Sequence, residues 1–239
     1  TGADRSWIPS EDVQDALLAD DPHTVTGAVD EAIEQGATVV DLADEIVQAA
    51  AVRVAQFSTG NEFSDWNTVH HTYTYANAVC GLVRRADSTG GYGGVYEGAV
   101  TLFLHRFLNT PPAPIPTPET TDRAPDAILE DLDETFQTEG EVATAGRLAG
   151  EFLDSEGSPD TLKRALGEAL LREDAGFHTL QNLEAAFQGY DRCGDPERAR
   201  VHLIATARYL AAHTPTRREA EQTFRIAERL NRGERIHED

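Results

Sequence analysis

The 239-residue chain holds 42 acidic against 20 basic residues, a formal net charge of −22, and 40% of it is hydrophobic. That length and hydrophobic content suffice for a sizeable core, in one large domain or two small ones, and do not fit a disordered chain. The charge argues against a basic face for nucleic acid or an anionic membrane, and no apolar run approaches the roughly 20 residues of a spanning helix.

Ser10 predicts the cap of a short first helix, and Asp21-Pro22 opens a second that ends at Gly36. From Thr38 to about Ser58, the apolar residues Val39, Leu42, Ile46, Ala49, Ala50 and Val54 recur at helical spacing. Asp65 is expected to cap a helix running to about Ala86. Gly90, Gly91, Gly93 and Gly94 read as a flexible turn, followed by a helix through Val100, Phe103, Leu104 and Phe107. Six of the eleven prolines fall between Thr110 and Pro125, as in an extended, semi-rigid linker. Helices resume at about 126–137, 141–154, 159–173, 175–191, 195–213 and 216–232. Strand signals are nearly absent. The expected fold is therefore all-α, a multi-helix array of antiparallel helical hairpins. Residues 1–109 form an N-terminal helical half, 110–125 a Pro-rich linker and 126–239 a C-terminal helical half, packed together as one globular unit.

The halves echo each other. His71-Thr72 and His178-Thr179 each follow acidic residues, and Arg106…Thr110-Pro111 parallels Arg208…Thr214-Pro215. A duplicated unit of helical hairpins would explain this, and so would chance matching of two alanine-rich helices.

Lys163 is the only lysine. Acidic excess without lysine is the composition of a protein from a high-salt, halophilic cytoplasm, where screening suppresses the repulsion of surface carboxylates. No EF-hand loop suggests a calcium buffer instead. The N-terminus carries no signal pattern. Cys80 and Cys193 fit no zinc spacing and are too few for an iron–sulfur cluster within this chain. They read as free thiols in a reducing cytosol.

One stretch breaks the acidic pattern. Residues 66–83, WNTVHHTYTYANAVCGLV, contain no Asp, Glu, Lys or Arg, whereas 18 residues at the chain's 26% charge frequency would carry four or five. Such a helix is expected to be buried on nearly every side, and its polar groups then need partners. His71, Tyr75, Ala78 and Leu82 share one stripe; His70, Thr74, Asn77 and Gly81 share the next. Adjacent histidines diverge by about 100° on a helix, so at most one is expected to face a given site.

The functional expectation is that His70 or His71 meets His178 in the core, with His71, His178 and Tyr75 as the reacting set. Glu62, Asp65, Glu173 and Asp174 would supply carboxylates, and Asp174-x3-His178 would place both side chains on one helix face. Histidines and carboxylates from facing helices build non-haem iron, manganese or zinc sites. The bland alternative satisfies each imidazole with a tyrosine, an asparagine or a carbonyl. His105 is expected to pack or cap, His202 to lie in the core, and His23 and His237 to be exposed. HExxH, the Glu-x-x-His pair of the di-iron bundles, GxSxG and phosphate-loop motifs are all absent.

The run Asn61-Glu-Phe-Ser-Asp65-Trp66-Asn-Thr-Val-His70-His71-Thr-Tyr-Thr-Tyr-Ala-Asn77-Ala, with Phe107-Leu-Asn109-Thr-Pro-Pro and Glu173-Asp174-Ala-Gly-Phe-His178, resembles a helical domain of actinobacterial and haloarchaeal Rieske-type proteins. More distantly it is similar to questin-oxidase-like helical proteins, oxygenases with paired histidines. The resemblance spans most of the chain from about residue 40. It implies a redox context, a Rieske or other redox partner protein and a small-molecule substrate. The chain departs from the Rieske pattern in having no Cys-x-His with Cys-x-x-His pair, so the implied role is the partner or substrate domain rather than the electron carrier. A non-catalytic helical-repeat scaffold that binds a protein partner is the rival expectation.

Overall fold

The computed structural model describes residues 7–86, 90–117 and 119–234, and every regular element among them is helical. The helices in chain order are α1 (Glu11–Leu17), α2 (Pro22–Glu34), α3 (Val39–Ala55), α4 (Asp65–Arg85), α5 (Gly91–Leu104), α6 (Pro125–Thr135), α7 (Val142–Asp154), α8 (Pro159–Leu171), α9 (Phe177–Arg192), α10 (Pro196–Ala212) and α11 (Glu219–Asn231), with a 3₁₀ turn at Arg106–Asn109. His237 lies outside the described residues. No helix among the described residues is long and apolar enough to cross a membrane.

The caps explain the boundaries. Asp21 accepts from the Thr24 N–H at 2.7 Å with Pro22 as the first helical residue, and Thr38 forms a capping box with Asp41 at the start of α3. Asp195 caps α10 through the Glu197 and Arg198 amides, again with proline following. Ser64, not Asp65, occupies the cap position of α4; Asp65 is the first residue of the helix, where a carboxylate suits the macrodipole.

The glycine cluster is not a turn. Gly91, Gly93 and Gly94 form the first turn of α5. A Cβ on Gly91 would stand 2.5 Å from Val83 Cγ1, and one on Gly98 2.8 Å from Ile46 Cγ2. The missing side chains let α5 approach α4 and α3 at distances no alanine would permit.

Two apolar clusters fill the interior. One gathers α2–α5 and reaches Ala185, Ala186, Ala205 and Tyr209 of α9 and α10; the other gathers α6–α8 with the opposite side of α10. The segment between the halves is extended, but it is packed: Ile115 touches both clusters, and the Ala113 amide donates to the Gln56 carbonyl at 3.0 Å. α3 and α10 are the most enclosed helices, with charged residues inside them. Arg53 donates to Asn109 Oδ1 (3.0 Å) and the Leu18 carbonyl, and Arg200 to Asp154 (2.9 Å) and the Gly150 carbonyl.

α4, uncharged from Trp66 to Val83, packs against α3, α5 and α9 and meets Tyr209 and His202 of α10 through Trp66, His70 and Tyr73. Trp66, Val69, His70, Tyr73, Ala76, Cys80 and Val83 are buried, but the stripe of His71, Ala78 and Leu82 is exposed, Leu82 at 63%. The expected burial on nearly every side is corrected: among the described residues, no helix covers that stripe.

Candidate metal centre

The site grows from the way α4 begins. Trp66 stacks on Phe57 with centroids 3.9 Å apart and meets Tyr209 edge-on at 5.9 Å. Pinning Trp66 this way turns the residue one helical turn on, His70, into the interior, where its ring lies 5.1 Å from that of Tyr209. His71, about 100° around, sits at the exposed edge. α9 packs over the seam between the two stripes and brings His178 to both rings, 5.2 Å from His70 and 4.8 Å from His71. The two neighbouring histidines therefore share one site, contrary to the expectation that only one would. A second helix, α9, bridges the gap between their directions.

Each of His70, His71 and His178 offers a nitrogen to this cluster, and the three nitrogens all lie within 4.8 Å of one another. Tetrahedral binding at the usual metal–nitrogen distance of about 2.0–2.1 Å needs nitrogens about 3.3 Å apart, so the rings must converge by about 1.5 Å at most. Among the described residues, the buried His70 Nε2 and His178 Nδ1 have no hydrogen-bond partner. Asn182, one turn after His178 on α9, lies wholly buried with its side-chain amide 3.3 Å from His70 Nδ1. The amide nitrogen donates to Nδ1 in this arrangement and its Oδ1 is unpartnered among the described residues; turning the amide over would let Oδ1 take Nδ1–H and free the Nε2 lone pair for a metal. Burial, with His178, His71 and His213 nearby, pushes the His70 pKa down to about 3. Burial and His178 also lower that of His71. Both rings are neutral at pH 7, the protonation state that binds a metal.

The expected carboxylates do not join the histidines. Glu173 is buried and receives the Thr216 N–H and Oγ1 at 2.7 Å each, and the Arg218 guanidinium at 2.6 Å. Those bonds outweigh the upward push of burial and hold its pKa below the ordinary value. Asp174 accepts the Glu219 and Ala220 amides at 2.8 and 2.9 Å and so caps α11. Because α9 begins at Phe177, Asp174 and His178 do not share a helix face. Glu62 is exposed in the turn before α4, and Asp65 lies in its first turn. Tyr75 turns the other way, donating to the Gly94 carbonyl of α5 at 3.3 Å. His105 bonds Thr72 Oγ1 at 2.7 Å, His202 is buried against the Tyr73 hydroxyl at 2.7 Å, and His23 is exposed.

Beside the triad opens a cleft of about 270 Å³ that includes Phe63, Asn67, Leu170, His178, Tyr209 and His213. The His213 ring stacks on Tyr209 at 4.2 Å, and its Nδ1–H donates to the Tyr209 carbonyl at 2.7 Å. Asn182, Tyr209 and His213 were not singled out in the sequence, although Asn182 lies four residues after His178 and His213 four after Tyr209, each pair on one helix face. A larger cleft of about 830 Å³, edged by His202 and Arg198, shares no residue with this one. Its charged groups are largely paired, Glu45 with Arg198 at 2.7 Å and Asp44 with Arg84. Set against known proteins, the chain matches no family model, no curated protein and no solved structure.

Proposed function

We propose that the protein binds one divalent transition metal through His70, His71 and His178 and presents it to a small molecule in the adjoining cleft. The observation that carries this is the unmet bonding of the triad: three imidazoles from two helices converge, and two of their buried nitrogens lack partners among the described residues. Buried polar atoms are costly unless satisfied, and a metal ion would satisfy both at once. The site edge is open, since His71 is exposed and the cleft reaches His178, so a fourth position remains for water or substrate.

An all-imidazole donor set suits zinc, copper, iron or nickel better than manganese. Iron is the expected metal, because the resemblance to Rieske-associated and questin-oxidase-like helical proteins implies redox chemistry with an electron-transfer partner. Zinc in its place would keep the metal site and remove the oxidoreductase role. The rival scaffold role would leave the polar aromatics on an open face, whereas His70, Tyr73 and Tyr209 are buried.

Metal analysis of protein prepared without a histidine tag, in high salt, tests the proposal. One equivalent of metal is expected in the native chain and almost none in the His71→Ala/His178→Ala double variant. A native protein free of metal even after incubation with iron or zinc, or a double variant that retains the metal, would sink it.

A further inference from the structure

The lining of the 270 Å³ cleft is chemically selective in a way the triad does not require. Its only charged residues are Glu173 and Asp174, and both carboxylates are spent, on Arg218 with Thr216 and on the start of α11. A charged ligand would meet no free countercharge there. Two residues of the lining, the fully buried Tyr209 and the 4% exposed Thr214, carry hydroxyls with no partner among the described residues. His213 commits its Nδ1–H to the Tyr209 carbonyl, which leaves Nε2 as a lone-pair acceptor. Phe63, Leu170 and Leu210 supply apolar walls, and Phe63 stands 62% exposed at the rim, 5.0 Å from the His213 ring. The volume falls just under the usual range of ligand pockets, so the occupant is fragment-sized.

We propose that this cleft is the binding site for a small uncharged alcohol, an apolar body carrying a hydroxyl that donates to His213 Nε2 and accepts from Tyr209 or Thr214. A carbonyl compound could accept from those two hydroxyls but has nothing to donate to His213. The inference builds on the metal site, since the alcohol would lie beside His178, and it names the class of molecule that site would act on. Burial of His213 lowers its pKa and keeps the acceptor available at neutral pH.

The test uses four probes of one shape: cyclohexanol, cyclohexanone, cyclohexanecarboxylate and cyclohexylamine, titrated by NMR into chelator-stripped protein. Cyclohexanol should bind tightest, by about 2- to 10-fold over cyclohexanone, as one hydrogen bond allows, and at least about 10-fold over the two ions, which lose their hydration on entry. Thr214→Val and Tyr209→Phe should each cut cyclohexanol affinity by about 2- to 10-fold. Phe63→Ala, at an exposed position that cannot threaten folding, should weaken all four probes alike. Equal or tighter binding of either ion, or cyclohexanol affinity unchanged in both hydroxyl variants, overturns the alcohol site. Because binding is read without metal, loss of this inference leaves the triad standing, and a triad that takes no metal leaves the probe ranking intact.

Discussion

His70 of α4 lies against Tyr209 of α10 and His202 of α10 against Tyr73 of α4, and burial pushes both pKa values down to about 3. Their circumstances otherwise differ. His202 receives the Tyr73 hydroxyl at 2.7 Å, stacks on that ring at 5.9 Å, and faces Gly189, whose missing Cβ would fall 2.6 Å from the imidazole. His70 has Asn182 on one nitrogen, no partner among the described residues on the other, and two more imidazoles about 5 Å away. A depressed pKa marks burial in both places. What separates a structural histidine from a candidate ligand is whether its hydrogen-bonding capacity has been met.

The sharpest way to break the comparison is to remove each histidine. His202→Ala deletes a packed ring and strands the Tyr73 hydroxyl, and should cost about 3 kcal/mol of stability while leaving metal content unchanged. His71→Ala, at an exposed position, should change stability by less than about 0.5 kcal/mol and abolish metal binding. Denaturant melts read beside metal analysis check the pair. A His202 variant that loses metal, or a His71 variant that unfolds, would erase the distinction.

Asn182 sharpens the same contrast from the ligand side. Its buried amide fixes the His70 ring through Nδ1, as outer-shell partners of metal-bound histidines commonly do. Asn182→Leu should weaken metal affinity about 10- to 100-fold, and Asn182→Asp, which offers only an acceptor to Nδ1–H and so leaves the Nε2 lone pair to the metal, should restore most of it. A purely structural role would instead lower the melting temperature and leave affinity per folded molecule unchanged.

Acidification separates the structural pair by its pH window. The unfolded His202 imidazole takes up a proton near pH 6.5 and the folded one only near 3. Between those values the unfolded chain binds more protons, so stability rises with pH across the window and falls on acidification by about 1.4 kcal/mol per unit from this residue. Metal-free protein should show about twice that slope between pH 6 and 5, because His70 titrates alike, and His202→Ala should be flatter by the His202 share of about 1.4 kcal/mol per unit.

The all-helical fold was legible because caps and periodicity are local. Asp21-Pro22, Thr38 with Asp41, and Asp195-Pro196 mark helix starts in the sequence and in the structure alike. The histidines stood out for a related reason: a helix without charge is conspicuous in a chain of net charge −22. What the sequence did not carry was long-range commitment. Glu173 and Asp174 look free to ligate until Thr216, Arg218 and the start of α11, more than forty residues away, claim them. Nor did absence of charge mean enclosure. α10 carries the buried Arg200 and Arg208 and is more enclosed than α4, because a paired guanidinium can be buried and an uncharged stripe can be left open.

The Glu173 clasp gives the smallest and most localised prediction. Its carboxylate is held below the ordinary pKa by Arg218 and Thr216 against the opposing effect of burial. It therefore contributes stability that is complete above the unfolded value of 4.5 and is lost as pH falls through the lower folded one. That window barely overlaps the range between pH 6 and 5 where His202 acts. Glu173→Gln should cost about 1 kcal/mol at pH 7, leave the His202 slope between pH 6 and 5 intact, and remove only the loss seen below about pH 4.5. It should also loosen the turn that carries Thr216 at the lip of the cleft, so amide exchange at Thr216, Glu219 and Ala220 should quicken while exchange in α4 does not. Faster exchange spreading into α4 would mean that the clasp and the histidine triad are one cooperative unit, and that the cleft cannot open without disturbing the candidate metal centre.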